Sequence, residues 1–172
     1  MTFPTIVLIV TATTTGLIAG LFYAYSCSVN LGLGRLPDEP YLTAMQSINK
    51  AILNPVFFAS FIGTVILLPL CTYLHYRQPL SPKFIMLVVA TTLYLIGVFG
   101  VTIFGNVPLN EGLARLDFSA ASIEDISRER INFEKPWNRL HQIRTVASVV
   151  TLVLVIIACV SESNLIKQDL LD

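Results

Sequence analysis

The sequence contains few charged residues and no excess of either sign. Asp, Glu, Lys and Arg make up 13% of its 172 residues, and eleven basic residues balance eleven acidic ones. A chain without a basic surplus lacks the electrostatic footprint of a nucleic-acid-binding protein, and one without an acidic surplus has no solvating tail. Hydrophobic residues make up 54% of the chain and the mean hydropathy is +0.71. This composition predicts an integral membrane protein.

Recognisable catalytic and cofactor motifs are also missing. The three cysteines, Cys27, Cys71 and Cys159, lie far apart and form no CxxC pair, so they are interpreted as small apolar residues and not as a disulfide frame or a zinc site. The sequence has no Gly-rich phosphate loop, nucleophile elbow or paired-carboxylate motif. Function must therefore be sought in the arrangement of polar residues around the apolar segments.

Four apolar segments are long enough to cross a membrane, which requires ~20 helical residues. They cover residues 4–28, 54–75, 84–105 and 140–160. We expect an all-α, integral membrane four-helix bundle that forms a single domain over residues 1–172. The first segment has no preceding Lys or Arg and is too long for a signal-peptide core, so it is predicted to be retained as a span.

The connections between the spans differ in length. Residues 76–83 form a short Pro-marked turn, whereas residues 31–53 and 106–139 are long enough to hold structure of their own. Because spans alternate in direction, both long loops lie on one side of the membrane. Eight of the eleven Lys and Arg residues fall on that side, and the other three are at positions 77, 83 and 167. The positive-inside rule therefore places the long loops in the cytoplasm.

Each long loop is predicted to contain a helix at the membrane interface, so that two helical loops cover the same side of the bundle. In the first loop, apolar residues recur at helical spacing from Tyr41 to Ile48. In the second, Ser122 followed by Asp125 resembles a capping box, and the helix that it opens is expected to stop at Pro136.

Small residues recur at helical spacing within the spans. They are Ala12, Gly16, Gly20 and Ala24 in the first span, Ala59 and Gly63 in the second, and Gly97 and Gly100 in the third. Such faces allow another helix to approach closely. They predict a tightly packed monomeric bundle, with a homo-oligomer through the same faces as the alternative.

The fourth span is too short unless it includes charged residues. Residues 145–160 give about 24 Å of helix at ~1.5 Å per residue, so the turn before them, with His141 and Arg144, is expected at the edge of the hydrocarbon. Trp137, His141 and Arg144 are spaced four and three apart and share one helix face. Ionisable groups at this depth are costly unless they are paired or face a polar cavity, so His141 and Arg144 are predicted to line a site. Arg139 is interpreted as a surface residue.

Uncharged hydrogen-bonding groups from three other segments reach the same end of the bundle. They are Tyr23, Tyr25, Ser26 and Asn30 after the first span, Gln46, Asn49 and Asn54 before the second, and Asn106 and Asn110 at the end of the third, where Pro108 is expected to break the helix. This convergence predicts a pocket that opens toward the long loops and is covered by their helices.

The same topology limits the cofactors. His75 falls at the opposite end from His141, roughly a membrane thickness of ~30 Å away, so the two cannot bind one haem. No organic cofactor is firmly implied. A metal near His141 stays an alternative, although it would have to recruit Glu111, Asp38, Glu39 or Cys27, which show none of the common local ligand spacings.

Four stretches together resemble the anthrone-oxygenase-like family of small four-span membrane proteins. They are "GLFYAYSCSVNLGL", "MQSINKAILNPVF", "GNVPLNEGL" and "WNRLHQIRT", of which the last two are the most specific. The resemblance covers essentially the whole chain. It implies the O2-dependent conversion of an anthrone-type polycyclic phenol to an anthraquinone, with O2 and a small hydrophobic aromatic substrate from the lipid as partners.

The resemblance gives the polar residues definite expected roles. His141, a side chain that titrates near neutral pH, would act as the general base on the acidic carbon between the two aromatic rings. Arg144, Asn106 and Asn110 would stabilise the developing oxyanion. The substrate-binding candidates are Trp137, Tyr23, Gln46 and Asn49, of which Trp137 and Tyr23 would stack on the substrate.

Two other functions remain open from the sequence. A structural or interaction subunit would have a filled core at the His141 end, with the histidine and arginine consumed by pairing. A small-molecule carrier or lipid-binding protein would have polar groups near the membrane midplane and broken helices. An apolar cavity of ligand size beside His141 would favour the enzyme over the subunit.

Overall fold

The computed structural model describes residues 1–76 and 81–161, and these residues form helices and no strands. The five helices are α1 (Phe3–Leu33), α2 (Asp38–Ala51), α3 (Pro55–Leu74), α4 (Pro82–Ala114) and α5 (Ile123–Val160). Two of them contain π-helical turns, at Tyr25–Val29 in α1 and at Tyr94–Gly100 and Thr102–Asn106 in α4.

The predicted four-span bundle is confirmed, because α1, α3, α4 and α5 are each long and apolar enough to cross a membrane. The amide oxygen of Asn54 caps α3 by accepting from Phe57 N, and the Ser81 hydroxyl caps α4 by accepting from Phe84 N. Part of the predicted turn, residues 77–80 with Arg77, lies outside the described residues. The same holds for Lys167, another basic residue counted on that side.

The spans pack in a ring in which α1 contacts α3 and α5, and α4 contacts α5 and α3. Fully buried apolar side chains such as Leu68, Leu87 and Val155 form the core. Near the short connection between α3 and α4, the hydroxyls of Thr72 and Thr91 lie 2.8 Å apart and join the two helices.

Two glycines of α4 permit close approach to α5. A Cβ atom added to Gly97 would lie 2.8 Å from Ala147 Cβ, and one added to Gly105 would lie 2.9 Å from Leu140 Cδ1. The expected close packing through small residues is thus present at Gly97. In the first span Gly20 is exposed, and a Cβ atom added to it would meet no described residue within 4 Å apart from its chain neighbours and the backbone of its own helix turns, so a homo-oligomer through this face stays a prediction.

Both expected proline breaks are wrong. At Pro108, α4 continues to Ala114. The wide π turn Thr102–Asn106 ends just before this proline, so Pro108 lies in the first turn of the α-helical segment Val107–Ala114. A missing N–H costs little at that position. At Pro136, α5 runs on without interruption to Val160. The buried side chains of Phe133 and Trp137 on either side of Pro136 offset the hydrogen bond that the proline removes.

The two predicted loop helices are present at the same end of the bundle. In the first loop α2 buries Tyr41, Leu42 and Met45 against α4 and α5. The capping box is formed, since the Ser122 hydroxyl accepts from Asp125 N and the Asp125 carboxylate accepts from Ser122 N. The second loop helix is the first part of α5, so it and the fourth span form one element.

Arg130 joins the first long loop to α5. Its guanidinium donates to the carbonyls of Gly34 and Leu36, pairs with Asp38 and Glu134, and lies 4.5 Å from the ring centroid of Tyr41. Burial raises the pKa of the Tyr41 phenol above its ordinary value, with a smaller contribution from the nearby carboxylate of Glu134, so this ring is neutral at physiological pH. These contacts hold α2 over the end of the bundle.

Candidate functional site

A cavity of about 520 Å3 lies at the long-loop end of the bundle. All five helices contribute to its wall. Its apolar and aromatic lining includes Leu21, Phe22, Tyr25, Phe57, Phe58, Phe61, Ile103 and Trp137, and its polar lining includes Gln46, Asn49, Asn110, His141 and Arg144. The volume lies in the usual range of ~300–1,000 Å3 for small-molecule sites, and few polar groups interrupt the apolar wall. The pocket predicted under the loop helices is therefore present.

His141 is fully buried at the inner wall, and both of its ring nitrogens have partners. Nε2 lies 3.2 Å from the carbonyl oxygen of Phe22, and Nδ1 accepts from Arg144 Nε at 3.1 Å. Because a carbonyl only accepts, the network assigns the ring hydrogen to Nε2 and the lone pair to Nδ1. The basic nitrogen of His141 is thus the one beside Arg144.

Aromatic rings surround the imidazole. The Trp137 ring is stacked on it, with centroids 5.1 Å apart and an interplanar angle of 15°, and Tyr25 meets it edge-on at 5.2 Å. Phe22 lies at 5.7 Å on another side. This enclosure fixes the orientation of the imidazole, as preorganised catalysis requires.

Arg144 is buried without a counterion in the described part of the chain. Only 9% of the residue is exposed, and no Asp or Glu among the described residues forms an ion pair with it. Its guanidinium carbon lies 4.5 Å from the ring centroid of Phe22 and 5.1 Å from that of Trp137, so cation–π contacts flank the charge. His141 and Arg144 both lie on the cavity wall, and their position at the edge of the hydrocarbon stays a prediction.

Two asparagines of α4, Asn106 and Asn110, form hydrogen bonds with Trp137. Asn110 lines the cavity and its Oδ1 accepts from Trp137 Nε1 at 2.8 Å. Asn106 is buried and does not line the cavity; its Nδ2 donates to the Trp137 carbonyl at 3.3 Å. The expectation that Asn106 contacts an oxyanion directly is therefore wrong, because its amide donates to the α5 backbone at Trp137 and does not face the cavity.

The two amides of α2 line the cavity as predicted. Gln46 Nε2 donates to the carbonyls of Leu113 and Leu116, at 2.7 and 3.2 Å, and so joins α2 to the end of α4. Asn49 Nδ2 is buried and has no hydrogen-bond partner in the described residues.

The placement expected for Tyr23 is wrong. Its side chain is 61% exposed and does not line the cavity, whereas Tyr25 lies inside and donates its hydroxyl to Met45 Sδ at 3.2 Å. The buried positions of α1 include Thr11, Thr15, Ile18 and Phe22, which are spaced four, three and four apart, and Tyr25 follows three residues after Phe22. This burial series is a property of the structure, and because α1 is apolar on nearly all sides the sequence gives no clear signal for Phe22 and Tyr25 over Tyr23.

Charged residues are sparse around the cavity. Lys50 and Glu111 also line it, and both are exposed. Among residues 1–76 and 81–161, no group of three or more His, Cys, Asp or Glu side chains is placed to hold a metal ion. His75 ends α3 at the other end of the bundle, where its Nδ1 lies 2.8 Å from the Cys71 carbonyl.

The chain matches the model of a known protein family. A family model described as anthrone oxygenase matches residues 56–154, which is more than half of the chain. The matched segment contains α3, α4 and most of α5, including Trp137, His141 and Arg144. Neither a curated protein nor a solved structure matches the chain.

Proposed function

Because the chain belongs to the anthrone oxygenase family, we propose that it is a membrane oxygenase that uses O2 to oxidise an anthrone-like or other polycyclic phenolic substrate. The observation that carries the proposal is the apolar cavity of about 520 Å3 with His141 and Arg144 on its wall. Flat aromatic rings fit a lining of phenylalanine, tyrosine and tryptophan side chains.

The proposed reaction converts the methylene carbon between two aromatic rings to a ketone. Removal of one proton from this carbon gives an anion delocalised onto the ring and the ketone oxygen. The anion transfers one electron to O2, and the carbon radical and superoxide combine into a peroxide. Loss of water from the protonated hydroperoxide then leaves the new carbonyl. One substrate and one O2 thus give one quinone and one water, and no further oxidant or reductant is consumed.

His141 is the proposed base, through Nδ1. This nitrogen accepts from Arg144 Nε, so a substrate oxygen that draws the guanidinium toward itself would free the lone pair for the proton. The same movement places the cation beside the oxygen on which negative charge develops. Asn110 contributes through Trp137, whose indole N–H it holds.

The cavity also bears on the two alternatives. A structural subunit requires a filled core at this end, and the open volume beside His141 disfavours it. A protein that binds a small molecule without changing it would use the same cavity, so turnover has to be measured to separate it from the oxygenase.

The direct test is oxidation of dithranol by purified protein under 18O2. We expect formation of 1,8-dihydroxyanthraquinone above the protein-free rate, with one 18O atom in each quinone and one O2 consumed. Unlabelled quinone, or formation at the protein-free rate, would contradict the oxygenase.

We further propose that the substrate enters from the lipid between α3 and α4. Tyr94 OH donates to the Phe61 carbonyl, and among the described residues this is the hydrogen bond between these two helices that lies nearest to the cavity. Beyond it the cavity reaches Phe58 and Ile103, two apolar side chains that are 41% and 38% exposed.

Replacing Ile103 with Trp should slow substrate entry because the larger ring fills this opening. The expected result is a rise of about tenfold in KM with a smaller change in kcat, measured with dithranol in vesicles. Ile96→Trp is the matched control, since Ile96 is 68% exposed on the same helix and does not line the cavity. Equal KM values for the two variants would contradict this entry route.

A further inference from the structure

The cavity contains an unbalanced positive charge. Arg144 is 9% exposed, and in the described part of the chain its only hydrogen bond is from Nε to His141 Nδ1. The terminal nitrogens Nη1 and Nη2 have no hydrogen bond to a described residue. A cation at membrane depth is costly unless an anion or a polar group completes its surroundings.

The other charged groups on the cavity wall do not supply that balance. Glu111 is exposed and forms no ion pair with Arg144, and Lys50 adds a second positive charge at an exposed position. The rings of Phe22 and Trp137 flank the guanidinium carbon, at 4.5 and 5.1 Å from their centroids, and neither ring supplies a negative charge. An anion that pairs with Arg144 would therefore have to come from outside the described side chains.

We propose that the cavity binds its ligand as an anion whose charge is shared by two neighbouring oxygens, held by Nη1 and Nη2 of Arg144. A carboxylate has this geometry, and so has an ionised phenol beside a ketone. A guanidinium presents parallel N–H groups that match such a pair of oxygens in a bidentate contact. The apolar body of the ligand then lies against the aromatic wall.

This inference rests on the proposed oxygenase and names its substrate class. An anthrone with a hydroxyl group beside the ketone offers the required oxygen pair. Charge that forms when the methylene proton leaves moves onto the ketone oxygen, which is already in contact with Arg144. An anthrone without that hydroxyl lacks one of the two contacts.

The test compares two ligands of equal shape, 9-anthracenecarboxylate and its neutral counterpart 9-anthracenemethanol. Trp137 is the only tryptophan in the chain and lies on the cavity wall, so energy transfer from its fluorescence to anthracene reports binding without turnover. We expect the carboxylate to bind about 10- to 100-fold more tightly in an uncharged detergent, the range for a charged hydrogen-bonded pair.

Three variants locate the charge that is responsible. Arg144→Gln should reduce the ratio of affinities to about one while 9-anthracenemethanol still binds. Arg139→Gln on the same helix and Lys50→Gln on the cavity wall should keep the wild-type ratio, because Arg139 does not line the cavity and Lys50 is exposed. A ratio that is lost in the Lys50 variant and kept in the Arg144 variant would overturn the assignment.

Equal affinity of wild-type protein for the two ligands overturns the proposal whether or not Arg144→Gln folds. A lipid phosphate is the other source of a suitable anion. If lysophosphatidic acid displaces 9-anthracenecarboxylate at lower concentration than lysophosphatidylcholine, and only when Arg144 is present, the site belongs to lipid and the aromatic assignment fails. Binding is measured without O2, so it is independent of turnover. The anion preference can hold when the oxygenase assay is negative, and it can fail when the oxygenase assay is positive.

Discussion

Replacing His141 with glutamine is expected to lower O2-dependent oxidation of dithranol by about 100- to 10,000-fold, down to the protein-free rate. His141 lines the cavity and its Nδ1 carries the lone pair beside Arg144, and the substitution removes this nitrogen. Glutamine is the informative choice because its side-chain N–H can still donate to the Phe22 carbonyl, as Nε2 of the histidine does. The variant thus removes the base and retains the structural bond.

The second histidine provides a matched control. His75 is the only other histidine in the chain, and it lies at the far end of α3, away from the cavity. His75→Gln should leave the rate of quinone formation within about twofold of wild type. The comparison separates the loss of a base at the site from a general effect of removing an imidazole.

Integrity of the cavity is checked independently of turnover. His141→Gln protein should still bind 9-anthracenemethanol with transfer from Trp137, because the apolar wall is unchanged. Wild-type rates of dithranol oxidation in a variant that binds normally would eliminate His141 as the base. A rate that falls equally in both histidine variants would contradict a specific role.

The position of the site in the sequence was predictable because it follows from the lengths of the apolar segments. Residues 145–160 cannot cross the hydrocarbon alone, so the sequence already requires His141 and Arg144 near its edge. The alternation of span direction then brings Gln46, Asn49 and Asn110 to the same end. Each of these five side chains lines the cavity.

Two kinds of prediction from the sequence were wrong: the rotation of α1 about its own axis, and the helix breaks expected at prolines. Helices that are apolar on all sides carry little information about which face is buried. The exchange of Tyr23 for Tyr25 is such an error of rotation, in the turn where α1 becomes π-helical. The proline breaks failed for another reason, since tertiary packing and an adjacent π turn outweigh the cost of one missing N–H.

The continuity of α5 through Pro136 has a functional consequence. It places Trp137, His141 and Arg144 on one 38-residue helix that begins at the capping box of Ser122. Arg130 attaches the first long loop to this helix. The loop helix that covers the cavity and the wall that carries His141 and Arg144 are therefore parts of one packed unit. This arrangement depends on how closely α4 and α5 approach each other.

Adding one methyl group at the closest approach of α4 and α5 is expected to destabilise the fold. A Cβ on Gly97 would lie 2.8 Å from Ala147 Cβ, an atom attached directly to the backbone of α5 that has no rotamer by which to move away. Gly97→Ala should therefore separate the two helices and lower the free energy of unfolding by about 1–3 kcal/mol, the usual cost of overpacking. The measurement is equilibrium unfolding of purified protein in mixed micelles.

The control and the rescue use the same chemical change. Gly63→Ala in α3 adds a methyl group that would meet no described residue within 4 Å apart from its chain neighbours and the backbone of its own helix turns, so it should leave stability unchanged or raise it by up to ~1 kcal/mol through helix propensity. In an Ala147→Gly background the clash at Gly97 disappears, and Gly97→Ala should cost at least ~1 kcal/mol less than in wild type. Two results would contradict the close contact of α4 and α5: a Gly97→Ala variant as stable as Gly63→Ala, or an equal cost of Gly97→Ala in both backgrounds. Either result would mean that Gly97 and Ala147 lie farther apart than the fold requires, and that α4 and α5 form the cavity wall in a different arrangement.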